Sequence, residues 1–240
     1  MDEQELVLGK ILTKSQFTEK VIRLKIKNIH PVRLDYKAGQ YIQLKTWSKE
    51  LVPYYIFRYY PDINAFEIAV NIDGDSESTN YIKSIGIGDD VEYTPPKGEL
   101  LLDSSAKDIY YIGEGTFISP LISFLYHLDK STQKPNLSLF WGVKEEKELF
   151  LADSIYAFST SMNNFSYTIF MSEGTSVVTH RPGRVVDAIQ NIDLKEGALF
   201  YVCGEDIMVG EVTAVLKNKG VSEDRIISEK PKKVSLESTE

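Results

Sequence analysis

The sequence predicts a β + α/β protein, with a small antiparallel barrel followed by a parallel sheet covered by helices. Three observations predict it. Residues 5 to about 102 read almost wholly as strands separated by turn residues. Beyond residue 108, apolar strands alternate with helical stretches, the pattern of a sheet buried on both faces. The polar run DSSAKD, 103–108, lies between the two. The implied domains are residues 1–103 and 104–229, with a polar tail at 230–240.

In the first half, KVIRLKIK alternates: Ile22, Leu24 and Ile26 share one face, and Arg23, Lys25 and Lys27 the other. QYIQLKTW and AFEIAVNI have the same period. Turn signals stand at Lys37–Gly39, Pro61–Asn64 and Asp73–Asp75. STNYIKSIG reads as a short helix. Many strands with one short helix suit a small closed barrel.

In the second half, DIYYI, LSLFWG, SYTIFM and ALFYVC are strands, followed by helices at 119–129, 148–160, 184–190 and 207–219. The tail EKPKKVSLESTE has no apolar period and is expected to be loose.

Composition narrows the function. A net charge of −8 and an isoelectric point near 5.1 argue against broad nucleic-acid binding. No apolar run has the length of a membrane span, and the start MDEQELVLGK is acidic, unlike a signal peptide. A single cysteine, Cys203, leaves no disulfide framework and no cysteine-ligated iron–sulfur cluster within the chain. The three histidines show no HxxxH spacing and there is no CxxC, so no metal site is expected. A GxSxG elbow and a Walker-type GKS or GKT are also missing. An enzyme of this composition would borrow its chemistry from a bound cofactor. A cytoplasmic location is the simplest expectation.

GEGTFISP, 113–120, joins the first strand of the α/β half to its first helix. Ser119 is placed to cap that helix and Pro120 suits its first turn. Gly113 and Gly115 let a ligand approach the backbone, and a helix N-terminus favours an anion. A plain strand-to-helix turn would look the same. A second candidate is ALFYVCGEDIM, where Cys203-Gly204 ends a buried strand and Met208 lies just inside the next helix. Read alone, Cys203 is a small buried hydrophobe.

Together and in this order, GEGTFISP and CGEDIM resemble the GxGTGxxP-like loop and the CGxxxM motif of the ferredoxin–NADP reductase family. AGQYIQL, IGIGDDVEY with PPKGELLL, LFWGVKEEKELFLAD and GVSEDRIISE resemble further segments of that family, so the likeness spans nearly the whole chain. It implies a six-stranded Greek-key flavin barrel, then a Rossmann-like NAD(P)-binding α/β domain. The implied cofactors are FAD and NADH or NADPH, with electrons leaving to a separate protein.

The resemblance also assigns residues. The family's Arg-x-Tyr-Ser flavin signature falls on Pro53-Tyr54-Tyr55-Ile56. Tyr55 keeps the ring that packs on the flavin, while proline replaces the arginine and isoleucine the serine. Arg58 could reach a phosphate from another direction. Asn71 and the helix start at Ser78 and Thr79 complete the flavin set. The nucleotide is expected along Gly113, Glu114, Gly115 and Thr116, and along Cys203, Gly204, Glu205 and Met208, with Phe117 where the family has glycine. Cys203 beside the nicotinamide and Glu229 as a proton carrier are the catalytic candidates; a solvated Glu229 is the plainer reading. Glu173 after the third strand of the α/β half points to NADH, with Arg181 and Arg184 downstream able to restore phosphate binding. The stripe Arg23, Lys25, Lys27 would suit an acidic electron-transfer partner or be merely a solvated face. A non-catalytic, reductase-like scaffold or regulatory subunit is the alternative to an enzyme.

Overall fold

In the computed structural model, which describes residues 6–30, 33–131, 134–173 and 180–236, the alternating first half closes into an antiparallel barrel. Its strands are β1 (Val7–Gln16), β2 (Val21–His30), β3 (Tyr41–Lys45), β4 (Glu50–Tyr60), β5 (Ala65–Asn71) and β6 (Asp90–Tyr93). They follow the order β4-β3-β6-β1-β2-β5, and β5 pairs back onto β4, which closes the ring. After β5 the chain passes through helix α1 (Glu77–Ser84) and returns as β6 between β1 and β3, a Greek-key crossing.

The period of β2 fixes which face is inside. Ile22, Leu24 and Ile26 lie in the barrel core with Ile42, Leu44, Ile56, Phe66 and Tyr93. Burying each such aliphatic side chain is worth about 1.5–3 kcal/mol. Glycine is required at Gly9 of β1, because a Cβ there would stand 2.7 Å from the Tyr93 ring and 2.8 Å from Ile26. The Tyr93 hydroxyl donates to Asn28 Oδ1 at 2.7 Å, which satisfies two buried polar groups at once.

The second half forms a parallel sheet of β7 (Asp108–Glu114), β8 (Asn136–Val143), β9 (Phe165–Met171), β10 (Arg181–Pro182), β11 (Leu199–Cys203) and β12 (Ile226–Ser228). The order is β10-β9-β8-β7-β11-β12, so the chain runs outward one way from β7 and then starts again on its other side with β11. Tyr110 and Tyr111 divide the two faces. Tyr110 and Phe200 stack at 5.0 Å within the core that also holds α4 (Val185–Gln190) and α5 (Asp206–Asn218). Tyr111 and Tyr201 pack edge-on against Phe124 of α2 (Ser119–Asp129) on the opposite face. The fourth helix of this half, α3 (Ala152–Ser161), packs on β9, and its Phe158 meets Tyr126 of α2 edge-on.

Three expectations need correcting. Helix α3 starts at Ala152 rather than 148, because Glu146–Glu148 form a separate 3-10 turn and Leu151 adopts a left-handed φ of 57° before the helix. Helix α1 starts at Glu77 rather than at Ser78, because Ser76 caps it by accepting from Thr79 N–H, so Ser78 and Thr79 lie inside the first turn. The tail is not loose over its described part. One compact unit runs to Leu101 and takes the chain back from Pro231; the other is Leu102–Lys230. In the first, β13 (Val234–Ser235) pairs antiparallel with Leu51 and Glu50 of β4. Such pairing is made by backbone groups and needs no apolar period.

Candidate functional site

The parallel sheet reverses its direction of growth between β7 and β11, and open α/β sheets bind ligands outside the carboxyl ends of their strands at such a switch point. The loops predicted from sequence follow those strands. Gly113 and Cys203 are cross-strand partners, and Val202 pairs with Ser228, so Glu229 follows on the next strand over. Gly113, Cys203 and Glu229 are thus brought to one sheet edge from three neighbouring strands.

The first loop is held by its scaffold. The Gly115 carbonyl accepts from Trp141 Nε1 at 3.1 Å, the Thr116 carbonyl from Ser119 Oγ at 2.8 Å, and the Phe117 carbonyl from Tyr111 Oη at 2.8 Å. Ser119 therefore donates to the turn instead of capping α2 as expected. Gly115 has φ of +50° with nothing within 4 Å of its missing Cβ, so this point is both left-handed and open. Ile118 turns into the core while Phe117 stays half-buried.

In the second loop, glycine at 204 answers to packing. A Cβ there would run into the Met208 side chain and lie 3.0 Å from Glu114 Cγ. The Glu114 carboxylate accepts from the Glu205 N–H at 2.9 Å, and Lys230 pairs with Glu205 at 2.8 Å and Asp206 at 3.2 Å. The Cys203 thiol is wholly buried. Burial pushes its pKa up to about 12, reinforced by the charge of Glu229 and opposed by a hydrogen bond with Tyr111. A neutral, enclosed thiol is neither nucleophile nor base at neutral pH.

The residues assigned to the flavin lie on two faces of β4. Ile56 is in the barrel core and Tyr54 packs against it, its hydroxyl pKa raised by burial and then by Glu77 and Glu50. Ile56 is fully buried and Tyr54 half-buried, and Tyr55 is itself buried. Tyr55 lies between them on the other face, edge-on to Tyr41 at 5.7 Å. Asn71 ends β5 exposed, its Oδ1 accepting from Asp73 N–H in a local turn. At the α1 start, Ser76 Oγ is 3.0 Å from Ser78 Oγ and 2.8 Å from Thr79 Oγ1, a cluster of three hydroxyls. The Arg58 guanidinium lies over the Tyr60 ring at 4.6 Å.

Residues 111–214 match the model of the oxidoreductase NAD-binding domain. The chain is 23% identical over 257 residues to the reductase component of propane 2-monooxygenase from Rhodococcus jostii, covering 95% of this chain and 66% of that protein. It is 22% identical over 204 residues to the anthranilate 1,2-dioxygenase electron transfer component of Acinetobacter baylyi, covering 84% of this chain and 60% of the relative. The chain thus spans about two thirds or less of the length of these two relatives. Among solved structures, ferredoxin NADP+ reductase from Neisseria gonorrhoeae with bound FAD and NADP superposes with a TM-score of 0.82 at 20% identity, over 95% of this chain and 99% of that one. The chain has the fold of that ferredoxin NADP+ reductase.

That structure carries two cofactors, FAD and NADP. The barrel fits a flavin in one telling respect. Gln43, on β3 opposite Pro53, is 2% exposed and its Oε1 is buried with no hydrogen-bond partner among the described residues. A buried acceptor of this kind calls for a donor from a ligand. Sequence reasoning missed Gln43, because inside QYIQLKTW it reads only as an outward polar residue of an alternating strand. It also missed Lys233 of the tail, whose Nζ lies 3.4 Å from Ser78 Oγ.

Proposed function

We propose that this reductase-like chain takes electrons from a reduced pyridine nucleotide through FAD and delivers them to a separate protein. The observation that carries the reading is the meeting of GEGT and CGE loops at the switch point between β7 and β11. When bound, FAD would supply the redox chemistry, linking a two-electron donor to the acceptor protein.

The protein's own part is placement. Gly115 leaves open space for the nucleotide, and the tethered carbonyls of residues 115–117 keep that space in shape before anything binds. Cys203 and Met208 form an apolar floor at the strand end. Glu229, beside Cys203, is the candidate for holding a proton. Tyr55 supplies the wall for the flavin ring, and the start of α1 the place for its phosphates.

The acceptor is a protein, as the electron-transfer components among the relatives suggest. An acidic carrier docked on the β2 stripe would gain little there. Arg23 is paired with Glu67, Lys25 lies 3.7 Å over the Tyr60 ring, and Lys27 is the exposed one of the three. No helix among the described residues is long and apolar enough to cross a membrane.

The test is anaerobic mixing of NADH with FAD-loaded protein while visible flavin absorbance is followed. Rapid bleaching, restored by an added protein acceptor, is the expected result. Bound FAD that NADH fails to bleach, or no FAD binding at all, would leave the non-catalytic scaffold in its place.

A further inference from the structure

The C-terminal strand delivers one charge to an unusual position. Lys233 Nζ sits 3.4 Å from Ser78 Oγ in the first turn of α1 and 3.7 Å from Glu50 Oε2. A helix N-terminus carries partial positive charge, so the ammonium is offset there by the carboxylates at hand, its ion-pair partner Glu50 and Glu77 of the same first turn. The chain fixes it from both sides. Gln43 Nε2 donates to the Lys232 carbonyl at 2.7 Å, Val234 pairs with Leu51, and Leu236 N–H donates to the Lys49 carbonyl at 3.0 Å.

Gln43 points to a ligand independently. It lies under this stretch, 2% exposed, with Oε1 lacking a hydrogen-bond partner among the described residues. Its cross-strand neighbour Pro53 has no charge and no N–H to give. The site therefore combines helix amides and hydroxyls, one ammonium, and one buried acceptor that needs a hydroxyl or N–H donor. A phosphate ester of a polyol matches that set, its phosphate at Lys233 and α1 and its hydroxyls at Gln43.

We propose that Lys233, carried back to the barrel by the C-terminal strand, is the cation of the flavin phosphate site. This rests on the reading that the barrel holds FAD. The tail is then part of the binding site, and the positive charge that Pro53 cannot supply comes from the far end of the chain.

Titrating FAD and riboflavin by quenching of flavin fluorescence tests this on full-length wild-type protein and on Lys233→Ala, Lys233→Arg and Lys232→Ala. Lys233→Ala should weaken FAD binding about tenfold, in line with one charge-assisted contact, and reduce its dependence on salt. Riboflavin, which has no phosphate, should bind all four equally. Lys233→Arg should stay near wild type, and Lys232→Ala, which removes the same charge one residue away, should change little. Matching melting temperatures would exclude loss of fold. Unchanged FAD affinity in Lys233→Ala overturns the proposal, and tighter binding does so too, by marking the tail as a competitor of the flavin. A folded wild type that binds no FAD removes the flavin reading first and this inference with it.

Discussion

The carboxylate of Glu114 accepts a hydrogen bond from the backbone N–H of Glu205 at 2.9 Å, tying the end of β7 to the start of α5. A donor at a helix start that a bound anion could otherwise use is thereby satisfied from within. The same edge holds the carboxylates of Glu205 and Asp206, matched by Lys230. This edge is acidic, so in the proposed reading it suits the nicotinamide end of a pyridine nucleotide, neutral when reduced, better than its phosphates.

Replacing Glu114 separates the two roles of its carboxylate. Glu114→Gln keeps an acceptor for Glu205 N–H and removes the charge, so NADH should bind about two- to fivefold tighter at low salt. Glu114→Ala also removes the cap and should cost about 1 kcal/mol of stability. Calorimetric titration and urea unfolding read the two effects. Weaker NADH binding by Glu114→Gln would mean that the carboxylate helps the nucleotide.

Glu67 of β5 is fully buried, and its carboxylate is met by Arg23 from β2. Arg23→Met would strand a buried negative charge and should destabilise the protein by about 3 kcal/mol, the lower end of the range because part of Arg23 reaches water. Arg23→Met with Glu67→Leu should recover most of that loss. Urea midpoints of the three proteins decide it, and a single variant as stable as wild type would count against the pairing.

The sequence made the two grammars legible where side-chain period alone decides the structure. Ile22, Leu24 and Ile26 went inside as their alternation required, and α2 spans Ser119–Asp129 as its pattern suggested. It was opaque where backbone or competing groups decide. Ser76, Ser78 and Thr79 are equivalent as candidate caps, and only the fold selects Ser76. The β13 pairing uses two residues of a polar tail, so no period announces it. Within Pro53-Tyr54-Tyr55-Ile56, strand alternation separates Tyr55 from Tyr54 and Ile56, and a motif read as a block conceals this.

Acid should loosen the α/β unit through Asp108. Hydrogen bonds from Lys195 and then Asn136 hold its pKa below the usual carboxylate value. A depressed folded pKa contributes stability above the unfolded value, about 3.9, and that stability is lost as the pH falls through the folded pKa. Wild type should therefore lose melting temperature more steeply below about pH 4 than Asp108→Asn, while the variant is the less stable of the two at pH 7. Thermal melts across pH 2.5–7 (roughly the span over which such carboxylates titrate) would show it. Parallel curves would assign the acid sensitivity to other carboxylates.

NADH should bind more tightly than NADPH. Glu173 follows β9 exposed, with its N–H donating to the Lys144 carbonyl at 2.8 Å, so the turn sets a carboxylate beyond the third strand of the sheet. A carboxylate there can accept from a ribose hydroxyl but repels a 2′-phosphate. Of the two downstream arginines, Arg184 is ion-paired with Glu211 and would have to leave that partner to serve a phosphate. Arg181 is exposed in β10, opposite Phe170, and forms no ion pair among the described residues. A preference for NADH of about tenfold is expected, roughly one charge contact's worth. Glu173→Gln should narrow the gap, and adding Glu211→Gln should narrow it further by releasing Arg184. Calorimetric titration of both nucleotides into the three proteins measures this. Tighter binding of NADPH by wild type would show that Arg181 outweighs Glu173 and would reverse the assignment.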